Sequence, residues 1–281
     1  VVHCTSTPKT YRGFFAVVKC GKSANGAFFV KIALLQMDGA WENPARNHER
    51  ARALAAEAGA GGARLCVLPE MFSTGFTMNV DALREDSGTE RFLADLAREC
   101  RVAVVAGYAE RARGGRARNL AGVWDAEGGL LARYAKMHPF SPAGEERCFE
   151  AGEGPVLFGI EGMEASVFIC YDLRFPEVFR EVAPRAAALF VLANWPRSRR
   201  EHWLVLLRAR AIENQCFVVG VNRVGTDGNG IAYCGDSAVF GPEGETLLVA
   251  GDGEGVFPAE LDPALVQEAR RRLPALRDRR R

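Results

Sequence analysis

The chain is patterned by short, nearly unbroken apolar runs separated by amphipathic stretches. Runs at 31–38, 64–69, 102–109, 165–170, 188–194 and 216–223 are rich in aliphatic and aromatic residues, as expected of strands buried on both faces. Between several of them, residues 44–58, 90–100, 176–182, 199–214 and 263–272 carry apolar positions at helical spacing and predict helices. Two segments break the alternation. Residues 119–134 turn at Asp125-Ala126-Glu127-Gly128-Gly129, and residues 235–249 turn at Gly241-Pro242-Glu243-Gly244, so each reads as a hairpin. Strands alternating with helices predict a layered α/β architecture, and the hairpins make its sheets mixed.

A length of 281 residues, with 48% hydrophobic and 25% charged residues, suits one large α/β domain, and no linker-like stretch divides it. The expected domain spans 30–264, followed by a C-terminal helix and basic tail over 265–281. In that tail Arg270 to Arg272, Arg277 and Arg279 to Arg281 read as a solvated terminus. Residues 1–29 lack clear periodicity and the long apolar core of a secretory signal. They read as an extension outside the fold, with Val30 marking an alternative-codon start. A formal net charge of +1 gives no argument for a nucleic-acid or membrane-surface partner, and no apolar run approaches the ~20 residues of a spanning helix. Of the eight cysteines, Cys66, Cys170 and Cys216 lie in buried-strand patterns. A chain this large has no need of disulfide staples, so reduced thiols and a cytoplasmic location are expected. The absence of C-x-x-C and of zinc-spaced His/Cys clusters predicts no metal, and no cofactor is implied.

Three residues stand out chemically. Cys170 ends the run Ala165 to Ile169, and Phe175-Pro176-Glu177 then starts a helix, so the thiol and the Tyr171 N–H sit at a strand-to-helix turn that displays a nucleophile. Glu70 emerges just after Leu65-Cys66-Val67-Leu68-Pro69, where an unpaired charge would be costly. Lys136 ends the alternating segment from Leu130 to Ala135. Taken singly, these read as a buried small residue, a structural ion pair and an exposed edge lysine. Together they are the thiol, the base and the oxyanion donor of a nucleophilic hydrolase.

Leu68-Pro69-Glu70-Met71-Phe72, Tyr134-Ala135-Lys136-Met137-His138 and Ile169-Cys170-Tyr171-Asp172-Leu173-Arg174-Phe175-Pro176-Glu177 resemble, in order, the three signature segments of the nitrilase or carbon-nitrogen hydrolase superfamily. The resemblance runs from about Lys31 to about Asp262. It implies a four-layer αββα sandwich with two mixed sheets, pairing of subunits through helical layers into a homodimer or higher homo-oligomer, and catalysis by Glu70, Lys136 and Cys170 through a thioester. It also implies a second glutamate between the lysine and the nucleophile. Spacing to Phe149 and Gly152 favours Glu145, with Glu146 as the alternative. Arg174 is a candidate reader of a substrate carboxylate, its bland reading being a salt bridge to Asp172 or another helix-start acid. Asn194 and Trp195 are candidate pocket residues.

Three further segments, Ala193 to Pro196, Arg210 to Gln215 and Asn222 to Gly230, are most similar to the ω-amidase branch, whose members hydrolyse the terminal amide of 2-oxoglutaramate or 2-oxosuccinamate. The expected partners are therefore a small amide substrate and water. An N-carbamoyl-amino-acid hydrolase or a deaminated-glutathione amidase would share the catalytic groups. Cys-Tyr-Asp in place of Cys-Trp-Glu disfavours a nitrile-cleaving enzyme. From other classes, a catalytically silent binding scaffold would have no need of all three residues, and a redox-sensing thiol protein would want a second cysteine close by.

Overall fold

The computed structural model describes residues 29–83, 88–111 and 116–280. The expected extension at 1–29 therefore lies, apart from Phe29, outside the described residues, as does Arg281.

The helices are α1 (Pro44–Ala60), α2 (Thr89–Cys100), α3 (Glu145–Cys148), α4 (Pro176–Val182), α5 (Arg200–Asn214) and α6 (Pro263–Arg272). One sheet is built from β1 (Val30–Gln36), β2 (Leu65–Val67), β3 (Ala103–Arg111), β4 (Ala117–Trp124), β5 (Leu130–Ala135), β6 (Phe149–Glu150) and β15 (Gly255–Leu261). Its order is β15-β1-β2-β3-β4-β5, with β6 pairing β4. The other comprises β7 (Phe158–Ile160), β8 (Met163–Ile169), β9 (Ala188–Ala193), β10 (Phe217–Asn222), β13 (Ala238–Phe240) and β14 (Thr246–Val249), in the order β14-β13-β10-β9-β8-β7. A small ribbon joins β11 (Val224–Thr226) to β12 (Ala232–Cys234).

Both sheets are mixed: β1-β2-β3 and β8-β9-β10 run parallel, and hairpin partners extend them antiparallel. The strands are apolar on both faces because each face has a layer to bury against. In β1, Val30, Ile32 and Leu34 enter the core shared with the second sheet, while Ala33 and Leu35 meet the layer of α1 and α2. Period-2 geometry divides a continuous apolar run between two cores. On the far side, Phe179 of α4 and Trp203, Leu207 and Ala211 of α5 cover the second sheet. Helix, sheet, sheet and helix therefore stack as the expected αββα sandwich.

One strand lies outside the expected runs, and one expectation needs correction. The strand β15 has no strong apolar run and contains Pro258, yet it pairs along the whole of β1. As an outer strand it tolerates proline, which an inner strand would not. Arg270 is not a solvated tail residue. Its guanidinium donates to the carbonyls of Ala183 (2.9 Å), Ala186 (2.7 Å) and Gln215 (3.1 Å), with longer bonds to Asn214 and Pro184. Burial lowers its pKa below the usual arginine value.

Candidate active site

The site lies where strands from both sheets end. Glu70 follows β2, Lys136 follows β5, Cys170 follows β8 and Asn194 follows β9. Glu70 and Lys136 are each 1% exposed and Glu145 is 0% exposed, so their charges need mutual compensation. The Lys136 ammonium donates to Glu70 Oε1 at 2.9 Å and to Glu145 Oε2 at 2.8 Å. It also lies 5.1 Å from the centre of the Phe76 ring. Burial alone would lower the lysine's pKa, but the two carboxylates outweigh it and hold the group cationic, above its ordinary value.

The carboxylates are held from several directions. Asn194 donates to Glu70 Oε2 through its backbone N–H at 2.9 Å, and its side-chain amide bonds the Glu70 carbonyl at 2.8 Å. The Phe140 N–H donates to Glu145 Oε2 at 2.6 Å. Asn119, on β4, bridges the pair: its Nδ2 donates to Glu70 Oε1 and to Glu145 Oε1, both at 2.8 Å. Of the two adjacent glutamates, Glu145 is the one turned inward. Glu146 is exposed, with its carboxylate 3.6 Å from Arg147.

Two glycines permit the approach of these elements. A Cβ on Gly107 of β3 would fall 2.6 Å from the Glu70 Cα, and one on Gly152 would fall 2.1 Å from the Ala135 carbonyl oxygen, next to Lys136. The β2 turn and the β5 end can close on the site only where those side chains are missing.

Cys170 adopts φ 44°, the left-handed conformation that a non-glycine residue takes up at a cost. Asp172 fixes the turn. Its buried carboxylate accepts the Ile169 N–H (2.9 Å), the Tyr134 hydroxyl (2.7 Å) and the His138 N–H (3.0 Å), and the His138 ring nitrogen Nδ1 lies 2.8 Å away. The Cys170 Sγ is 3.9 Å from the Asn194 carbonyl oxygen. Burial, then the Glu70 charge, pushes the thiol well above the ordinary cysteine range, against the pull of Lys136.

Cys170 opens onto a cavity of about 790 Å³ whose lining includes Tyr171, Arg174, Asn194 and Trp195. Arg174 makes no ion pair with Asp172, which is fully occupied. Its guanidinium instead lies over Trp195, 4.8 Å from the ring centre, and one nitrogen is 3.2 Å from His202 Nδ1. Trp195 is pinned by Asn222, whose Oδ1 accepts its N–H at 2.7 Å. All eight site residues expected from sequence thus border the buried charge cluster or the cavity. Asn119, Asp172, His138 and Asn222 were not singled out in that role. The period-2 pattern places Asn119 inside a buried strand, and an amide there was the available signal.

Fold and sequence similarity together define an amide-hydrolysing enzyme of the αββα class. The chain belongs to the family described as carbon-nitrogen hydrolase, whose model matches residues 31–271. It is 38% identical to the omega-amidase YafV of Escherichia coli strain K12 over 253 residues, 89% of this chain and 96% of that protein. It is 34% identical to the 2-oxoglutaramate amidase of Bacillus subtilis, covering 88% of this chain and 96% of the relative. Among solved structures it is similar to XC1258 from Xanthomonas campestris, a CN-hydrolase superfamily protein with an arsenic adduct in its active site. The TM-score is 0.85 at 34% identity, covering 90% of this chain and 98% of that one. No helix among the described residues is long and apolar enough to cross a membrane.

Proposed function

We propose that the protein is an ω-amidase, hydrolysing the terminal amide of a small carboxylate-bearing substrate of the 2-oxoglutaramate or 2-oxosuccinamate type through a thioester on Cys170. The observation that carries this reading is the buried Glu70-Lys136-Glu145 cluster placed behind a displayed thiol that shares its cavity with Arg174. Similarity to the omega-amidase YafV and to the 2-oxoglutaramate amidase of Bacillus subtilis supports the choice of branch.

In this reading Glu70 accepts the Cys170 proton as sulfur attacks the amide carbon. The charge that develops on oxygen is met by Lys136 and the Tyr171 N–H, donors already oriented before reaction. Glu145 and Asn119 keep Lys136 and Glu70 in place. Collapse of the tetrahedral adduct breaks the carbon-nitrogen bond while Glu70 passes its proton to nitrogen, releasing ammonia. Glu70 then takes a proton from water, hydroxide adds to the thioester, and the thiol leaves reprotonated with the free acid. Arg174 binds the distal carboxylate, and Asn194 and Trp195 shape the acyl pocket.

The same reading includes a cytoplasmic homodimer. Free thiols at Cys66, Cys100, Cys148, Cys170, Cys216 and Cys234 support the compartment. Val205 and Ile212, exposed one heptad apart on α5, support a pairing face; sedimentation showing only monomer would exclude it. The activity is tested by ammonia release from 2-oxoglutaramate, succinamate, an N-carbamoyl amino acid and a simple nitrile, with wild type and Cys170→Ala. Preference for the 2-oxo acid amide, lost in the variant, is expected. Preference for another amide would remove the branch assignment.

A further inference from the structure

Among the described residues, the cavity lining carries two guanidiniums, Arg174 and Arg199, and a single acid, Glu42. That acid is engaged on its own wall, where its carboxylate accepts Thr77 Oγ1 at 2.5 Å and Asn79 Nδ2 at 3.4 Å. Arg199 is half-buried with its guanidinium 5.5 Å from the centre of the Phe140 ring, and none of the described residues supplies its side chain with a carboxylate or any other hydrogen-bond acceptor. The adjacent Arg200 shows what an arginine with a structural role does here: it forms a bidentate pair with Asp236 at 2.5 and 3.0 Å. The position of Arg199 is not slack, because its carbonyl accepts the Trp195 indole N–H at 2.8 Å. The tryptophan that lies under Arg174 thus also fixes the backbone from which Arg199 extends. Two guanidiniums with no carboxylate partner, seated on aromatic rings in a largely apolar cavity, make a site that favours an anion.

We propose that Arg199 is a specificity-determining residue, the second half of a two-guanidinium clamp for the acyl end of the substrate. This rests on the ω-amidase reading above and adds to it. One guanidinium satisfies a lone carboxylate bidentately. A second has work to do only if the substrate offers a further acceptor, and a 2-oxo acid does so, because its oxo oxygen stands next to the carboxylate. Arg174 and Arg199 together therefore select an amide whose far end is a 2-oxo carboxylate over one that ends in a plain carboxylate, and both over a neutral amide.

The test compares wild type, Arg199→Gln and Arg199→Lys on 2-oxoglutaramate, on glutaramate, which has the same length without the oxo group, and on butyramide. Arg199→Gln should lower kcat/KM on 2-oxoglutaramate roughly 10- to 100-fold, the range commanded by hydrogen bonds to a charged group, mostly through KM. The loss should shrink on glutaramate and be smallest on butyramide, and Arg199→Lys should recover part of it. Calorimetry on Cys170→Ala should show 2-oxoglutarate binding weakened by a similar factor when Arg199→Gln is added. Equal losses on all three amides would mark a structural role and overturn the proposal, as would undiminished binding of 2-oxoglutarate. If wild type instead prefers another carboxylate amide, the activity reading fails on its own, and the loss on that amide relative to butyramide still decides the clamp.

Discussion

A single amide nitrogen holds two buried carboxylates at a fixed separation. Asn119 directs both hydrogens of its Nδ2 to Glu70 and Glu145, the same carboxylates that share Lys136, so the cluster is one charge network with a neutral clasp. Asn119→Ala should fold, lose about 2 kcal/mol of stability, and turn over roughly 10- to 100-fold more slowly, because two charge-assisted bonds vanish. Asn119→Asp, although isosteric, should be worse than alanine, since a third carboxylate would share one ammonium. Steady-state kinetics beside denaturant unfolding checks both, and an aspartate variant with wild-type turnover would exclude the role. At this scale the sequence was legible where motif and chemistry coincide, as at Glu70, Lys136 and Cys170. It was mute on Asn119 and Asp172, whose importance comes from partners distant in sequence: Asn119 meets Glu70 49 residues away, and Asp172 meets Tyr134 38 residues away.

Between elements, polar groups tucked into apolar contacts set the conditions under which the layers stay joined. His48 of α1 stacks on Phe92 of α2, ring centres 4.1 Å apart and planes 3° from parallel. Burial, helped by the nearby Arg52, lowers its pKa from 6.5 to about 4. Between these values the unfolded chain binds a proton that the folded chain refuses, so the contribution is full above pH 6.5 and drains away as pH falls to about 4. His48→Phe keeps the ring contact without the titration. Its unfolding free energy should change less than that of wild type between pH 7 and 5 in urea titrations, and parallel pH profiles would show that the imidazole does not govern this helix pair. Five of the six helices were visible from spacing: 176–182 and 263–272 were bounded as observed, and α1, α2 and α5 to within two residues, while the four-residue α3 is too short to show a helical period. Short strands such as β6, β7, β11 and β12 have two or three residues each, too few for a period-2 pattern to declare itself.

The whole molecule depends on how its far end returns to the body. After β15 closes against β1, α6 lies across the ends of α4 and α5, where helix carbonyls have no intrahelical partners. Arg270 serves both ends, bonding Ala183 and Ala186 beyond α4 and Gln215 beyond α5, while Val266 enters the main core and Ala269 is buried. This is a capping cation shared by two helices, favoured by the negative field of their C-termini. The layered architecture was legible because its strands are apolar on both faces. This closure was not, because an arginine in an Arg-Arg-Arg run near the C-terminus looks solvated until the carbonyls it reaches are known. Arg270→Met preserves the stem and removes the donors, leaving several half-buried carbonyl groups unsatisfied, and should cost roughly 2–4 kcal/mol. Arg271→Met and Arg272→Met provide the contrast, because among the described residues those side chains pair only with Glu268 and Glu243 at the surface, and surface pairs contribute about 0–1 kcal/mol. Denaturant midpoints for the three variants separate the cases. A large loss confined to Arg270 places the closure of the fold on that one guanidinium, whereas equal small losses would mean that α6 is held by Val266 and Ala269 alone.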